Sequence, residues 1–153
     1  MIDYLEVEIN NKKFKSSPLP ALKALKLDKK IITMLLPMLS EFKGMDEKLN
    51  FGKMLHSLSQ SLNEMADTEF EKFIIDILST TIYMKDNTPP EQITSDKINI
   101  IFQGDIICIY KLIFEIMKYN KFSPFELVGG GGEIFKTFFY DGLMLKEKES
   151  GIE

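Results

Sequence analysis

The stretch Phe102–Phe125, FQGDIICIYKLIFEIMKYNKFSPF, decides how this chain is read, because it holds the longest apolar helical pattern and has stop signals at both ends. Between Asp105 and Tyr119, the residues Ile106, Ile107, Cys108, Ile109, Tyr110, Leu112, Ile113, Phe114, Ile116 and Met117 leave only Lys111, Glu115 and Lys118 as a polar stripe at i, i+4, i+7. A helix with so narrow a polar stripe is buried on most of its circumference. Gly104 stands before it and Asn120 suits its C-terminus. Ser123-Pro124-Phe125-Glu126 then has the pattern of a capping box with proline at the first helical position, so a further short helix or turn is expected there.

Working back from this helix, Asp86 to Ser95, with Pro89-Pro90, is the longest polar break and the expected mobile loop. Thr68-Glu69-Phe70-Glu71 reads as another capping box, predicting a helix from about Glu69 that presents Phe70, Phe73, Ile74, Ile77, Leu78 and Thr81 and frays near Met84-Lys85. From Asp46 onward, Phe51, Leu55, Leu58, Leu62 and Met65 recur at the spacing of an amphipathic helix. Asp28 looks like the cap of a helix with Ile31, Ile32, Leu35, Leu36, Met38 and Leu39 on its buried face, kinked or split at Pro37 and ended by Gly44. A short helix, Ala21 to Leu25, is expected after Pro18 and Pro20.

At the N-terminus Leu5, Val7 and Ile9 alternate with Glu6 and Glu8, and Asn10-Asn11 is a turn signal before Phe14, which predicts a hairpin at about 4–16. Two strands alone are marginal in water, so the hairpin must lay its apolar residues on the helices or pair with another chain.

Beyond the central helix, Gly129 to Gly132 break the chain. No Lys-Ser/Thr follows and no strand clearly precedes them, so a flexible hinge is expected rather than a phosphate cradle. Ile134, Phe135, Phe138, Phe139 and Tyr140 then make an aromatic short helix at about 133–141, which either folds back on the core or docks on another protein, and 143–153 reads as a disordered tail. The expected fold is mainly α: a single helical domain over 1–142 with an N-terminal β-hairpin packed on or beside the helices that span about 20–128.

At 153 residues the chain suits one domain with a core of its own, and a hydrophobic content of 44% with 27% charged residues is that of a globular protein. Its longest apolar run, Ile106 to Tyr110, falls far below the ~20 residues of a membrane span. The opening MIDYLEVE is acidic and alternating where a secretory signal is basic and then apolar, so a cytoplasmic location without membrane association is expected. A net charge of -4 argues against nucleic acid as a partner, and all 19 basic residues are lysine, so the bidentate guanidinium contact to phosphate or guanine is absent. From Lys12 to Lys30 seven lysines face a single acid, Asp28, which marks either a solvated surface or a docking surface for an acidic partner.

No reaction centre emerges. The single histidine, His56, has no neighbouring array of metal-ligand spacing, and the single cysteine, Cys108, sits among isoleucines as a small hydrophobe. Zinc, EF-hand, P-loop and dinucleotide fingerprints are missing, no serine has a nucleophile-elbow context, and neither a catalytic residue, a cofactor nor a metal is expected.

The N-terminal strand pair with VEINNKKFKSSPLPALKAL, the helical TEFEKFIIDIL and the run IFQGDIICIYKLIFEIMKYNKFSPF resemble the tail assembly chaperones of long-tailed bacteriophages and prophages. The elements that carry the resemblance are Phe102-Gln103-Gly104, the apolar helix after them, and Asn120 before Phe122 and Phe125; it covers about residues 5 to 125, leaving the glycine run and the aromatic C-terminal segment outside. What the resemblance implies is a non-enzymatic, self-associating protein of the host cell cytoplasm, which coats the tape measure protein and helps recruit the tail tube protein. The candidate interaction residues are Tyr110, Phe114, Phe122, Phe125, Phe135, Phe138 and Phe139. Nine methionines and twelve phenylalanines suit adaptable contacts with a helical client and equally suit a core. Two other classes stay open: a structural tail or virion component, and a small host-directed regulatory adaptor.

Overall fold

The computed structural model describes residues 3–42, 56 and 59–123. Strand β1 (Leu5–Ile9) turns through Asn10-Asn11 into β2 (Lys12–Ser16), and the long helix α1 (Ala21–Phe42) follows. Residues 59–64 are helical and lead to α2 (Asp67–Ile77), a 3₁₀ turn (Leu78–Thr80), β3 (Thr81–Met84), β4 (Glu91–Gln92), α3 (Ser95–Ile101) and α4 (Ile106–Tyr119). The strands form one antiparallel sheet in the order β1-β2-β3-β4.

This sheet overturns the expectation of a mainly α domain carrying a hairpin: the fold is mixed α/β. Two of its strands come from segments read otherwise in the sequence. Thr81–Met84 was expected to be the fraying end of a helix, but one 3₁₀ turn after Ile77 switches the chain to extended backbone, and TIYM pairs with β2 through Ser16↔Thr81, Lys15↔Ile82, Phe14↔Tyr83 and Lys13↔Met84. Its β-branched and aromatic residues fit a half-buried pleated surface. β4 lies within the polar break expected to be a mobile loop, with Glu91 opposite Tyr83 and Gln92 opposite Ile82.

The pleat explains the layering. Leu5, Val7, Ile9, Phe14, Ser16, Thr81 and Tyr83 share one face by register, while Glu6, Glu8, Lys13 and Lys15 share the other. The first face carries the helices. Phe14 is buried at its centre, its ring stacked on Phe102 at 5.6 Å and tilted against Tyr83 at 5.5 Å. Thr81 and Ser16 are polar and buried, and each has a partner: the Thr81 hydroxyl donates to Ser16 Oγ at 2.9 Å, and Ser16 donates to the Ser17 carbonyl at 3.3 Å. Met117, Ile116, Leu112 and Cys108 of α4 join Ile77, Leu78, Leu27 and Ile31 in the same core.

The central helix has the ends its sequence suggests. Gly104, at φ +77, makes the turn into it, and Asp105 caps it by accepting from the Cys108 amide at 3.3 Å. At the far end Asn120 is the C-cap, Lys121 takes the left-handed conformation (φ 57), the Phe122 amide donates to the Met117 carbonyl and the Lys121 amide to the Lys118 carbonyl, which is a Schellman ending. Asn120 also fastens α4 to the chain entering α1, accepting from the Leu19 amide at 2.9 Å and donating to the Ile116 carbonyl at 2.8 Å.

Other local expectations are corrected. The segment from Ala21 is one helix through Pro37 to Phe42, not a short helix and a second one capped by Asp28; Asp28 instead accepts from the amide and hydroxyl of Ser123 at 2.8 and 2.6 Å. The Thr68 capping box does not form: α2 starts at Asp67 after Ala66, with no side-chain cap, and Asp67 and Glu69 in its first turn favour the positive end of the helix dipole. Gly44, most of the helix expected from Asp46, and the glycine hinge, aromatic helix and tail from 129 on lie outside the described residues.

Candidate functional site

α4 carries one apolar stripe at i, i+4, i+7, i+11: Ile106, Tyr110, Ile113 and Met117. Its C-terminal half is covered, with Ile113 and Met117 buried, whereas Ile106 is 63% and Tyr110 37% exposed. The same stripe is therefore core at one end and open at the other. The open half lines a groove of about 640 Å³ together with Phe70 and Ile74 of α2 and Ile98 of α3.

The groove exists because α3 is only two turns long and is followed by a tight turn. Ile101 and Phe102 enter the core, and the chain reverses through Gln103-Gly104 before α4 begins. A Cβ at Gly104 would meet nothing within 4 Å, so glycine is favoured there by its positive φ and not by space. Ile100, 71% exposed, lies on the other side of α3 from Ile98 and does not line the groove.

Acids stand at the rim. Asp105 is held by Asn10 Nδ2 at 3.1 Å and Lys12 Nζ at 3.1 Å, which ties the start of α4 to the β1–β2 turn, where Asn10 and Asn11 both have positive φ. Burial raises the Asp105 pKa, but hydrogen bonds from Asn10 and Lys12, the Lys12 charge and the Cys108 amide outweigh it and hold the carboxyl below its usual range. Glu71 on α2 is the other acid in the lining. Cys108, one turn inside, is fully buried; burial, with Asp105 adding to it, pushes its thiol up to about 11, against smaller opposing effects of Lys12 and Lys111. A thiol so placed is packing and not a nucleophile.

Of the interaction residues expected from the sequence, Tyr110 lies in the groove. Phe114 and Phe122 are in the core, at 2% and 3% exposure, and Phe122 fills the position after the Schellman turn that such endings keep apolar. Phe125, Phe135, Phe138 and Phe139 lie outside the described residues. The structure adds Ile106, Phe70, Ile74 and Ile98, which the sequence reading missed. Ile106 and Tyr110 share a face with Met117, but nothing in the sequence says where along that face the cover stops.

The lysine-rich segment does not gather into one patch. Lys12 pairs with Asp105, Lys15 with Glu6 at 3.8 Å and Lys30 with Glu69 at 3.0 Å, and Lys23 donates to Ser79; Lys13 lies on the outer sheet face while Lys26 and Lys29 line a separate, smaller hollow beside α1. His56 is helical and exposed, and among the described residues no three His, Cys, Asp or Glu side chains are placed to hold a metal.

A family model described as "Phage tail assembly chaperone protein, TAC" matches residues 10–131. The chain belongs to this phage tail assembly chaperone family. The match runs from the β1–β2 turn through α4 and enters the glycine run, so it reaches further toward the C-terminus than the resemblance read from the sequence. No curated protein and no solved structure matches the chain. In this tail assembly chaperone, no helix among the described residues is long and apolar enough to cross a membrane.

Proposed function

We propose that this tail assembly chaperone acts without catalysis, holding amphipathic helices of the tape measure protein in the groove between α2, α3 and α4 until the tail tube protein is recruited around them in the host cytoplasm. The observation that carries the reading is the half-open stripe on α4. Ile106 and Tyr110 continue the line of Ile113 and Met117 out of the core, so a client helix laid along them completes a packing surface the monomer leaves unfinished. Helix-in-groove recognition needs this arrangement: apolar anchors at i, i+3/i+4 and i+7 on the guest, received by a concave apolar surface. A groove of about 640 Å³ takes a few such anchors, which suits modest affinity for many successive client segments rather than tight binding of one.

The rim supports the reading. Asp105 is already paired with Lys12, and Glu71, the exposed acid in the lining, favours client helices whose apolar stripe is flanked by lysine or arginine. Self-association along a coated client is part of the same proposal. Co-expression with the tape measure protein tests it: the soluble yield of the client rises with the wild-type chain and falls to the chaperone-free level with Tyr110→Asp or Ile106→Asp. Undiminished client solubility with both folded variants would place the client site elsewhere.

A further inference from the structure

β1 is an edge of the sheet, and the way it is decorated differs from a protected edge. Among the described residues no strand lies beyond it. Protected edges are blunted by proline, by bulges, by charges pointing inward or by being very short. The opposite edge, β4, has two residues, but β1 has five, without proline, and its register with β2 is continuous from Leu5↔Ser16 to Ile9↔Lys12. Its inward-facing residues are Leu5, Val7 and Ile9; its charges, Glu6 and Glu8, are on the outer face and exposed.

The hairpin geometry sets which backbone groups are on offer. With a two-residue turn, Ile9↔Lys12 is a hydrogen-bonded pair, and alternation makes Val7↔Phe14 and Leu5↔Ser16 the next ones. Glu6 and Glu8 therefore turn their N–H and C=O groups away from β2, toward the open side. The two residues that offer backbone hydrogen bonds to an added strand are the two that carry carboxylates. In an added antiparallel strand, the residues opposite Glu6 and Glu8 point to the same outer face, and the one between them, opposite Val7, points to the helix layer. Leu5 and Val7 are only half-buried, so that side has apolar surface left to cover.

We propose that the open edge of β1 receives an extended segment of a tail protein as a fifth strand, carrying lysine or arginine at alternate positions opposite Glu6 and Glu8 with an apolar residue between them. The charges select the sign of the guest. A second copy of the chain is disfavoured, because β1 against β1 sets Glu6 and Glu8 against the same carboxylates, and β4 offers only two residues for pairing. β2 already shows the matching pattern, with Lys13 opposite Glu8, Lys15 opposite Glu6 and Phe14 opposite Val7. This site does not depend on the groove reading, and its test is separable from it.

The full chain, labelled with nitrogen-15, is titrated at low salt with a short blocked peptide alternating lysine and valine, and separately with its glutamate counterpart. The expected result is that the lysine peptide alone shifts the amides of Leu5 to Ile9 and slows exchange at Glu6 and Glu8 by about tenfold or more. The E6K/E8K variant, whose fold is checked by its unchanged amide spectrum in α4, reverses the preference to the glutamate peptide. Equal responses to both peptides, shifts confined to the α2–α4 groove, or an E6K/E8K variant that still prefers lysine would overturn the proposal.

Discussion

Replacing Asp105 by alanine removes three attachments with one side chain: the cap on the Cys108 amide, the ion pair with Lys12 and the hydrogen bonds from Asn10. A lost helix cap costs about 1 kcal/mol. The Lys12 pair, with both side chains 23% exposed, is partly shielded from water and contributes about 1 kcal/mol, near the top of the range for pairs with surface access. The Asn10 bonds to a charged acceptor add a similar amount. Because the three share one carboxylate they do not simply add, and the expected loss is about 2–3 kcal/mol.

Asp105→Asn separates charge from shape, since an amide can still cap the helix. Its folded pKa is lowered, so the charge-dependent stability is fully present above the unfolded carboxyl value, about 4, and is lost as pH falls through the folded value. The stability gap between wild type and Asp105→Asn should therefore be about 1 kcal/mol at neutral pH and close in acid. Urea denaturation followed by circular dichroism at pH 7 and near pH 3 measures both quantities. An alanine variant within a few tenths of a kcal/mol of wild type, or an asparagine deficit unchanged in acid, refutes the account of this junction.

Lys121 holds a left-handed conformation that costs a non-glycine residue about 1–2 kcal/mol, so Lys121→Gly should stabilise the fold by about 1 kcal/mol and raise Tm by about 2–4 °C; an unchanged or lower Tm contradicts the Schellman ending. The Cys108 thiol, fully buried with its pKa pushed up to about 11, should react with a disulfide reagent at pH 8 only as fast as the protein opens, so labelling should speed up with urea; fast labelling of the native chain contradicts the packing of α4 on β1.

The central helix was legible almost to its ends, because Gly104, Asp105 and Asn120 are punctuation whose chemistry is local. The N-terminal hairpin was legible for the same reason, since alternation and Asn10-Asn11 are short-range signals. β3 was not. The apolar residues Phe70, Phe73, Ile74, Ile77, Leu78 and Thr81 keep helical spacing across the switch at Leu78, and no glycine or proline marks it; only pairing with β2, far away in sequence, makes Thr81–Met84 extended. The capping box at Thr68 does not form because the helix starts at Asp67, two residues before the Glu69 start that the box implies, which places Thr68 inside it. At the site, the sequence points to Tyr110 but groups Phe114 with it, because a helix apolar nearly all round does not state which face meets solvent, and Phe122, because nothing local says that the residue after the turn is covered. That is decided by where α2 and α3 stop covering it, a tertiary fact.

The claim that most needs testing is that the open half of the α4 stripe is where the client sits. The direct measurement is the soluble yield of co-expressed tape measure protein with wild type, with Tyr110→Asp, and with Lys118→Asp as an exposed control on the same helix. The account predicts a soluble client with wild type and with the control, and an insoluble one with Tyr110→Asp although that variant stays folded. A client kept equally soluble by the folded Tyr110→Asp chain would contradict it.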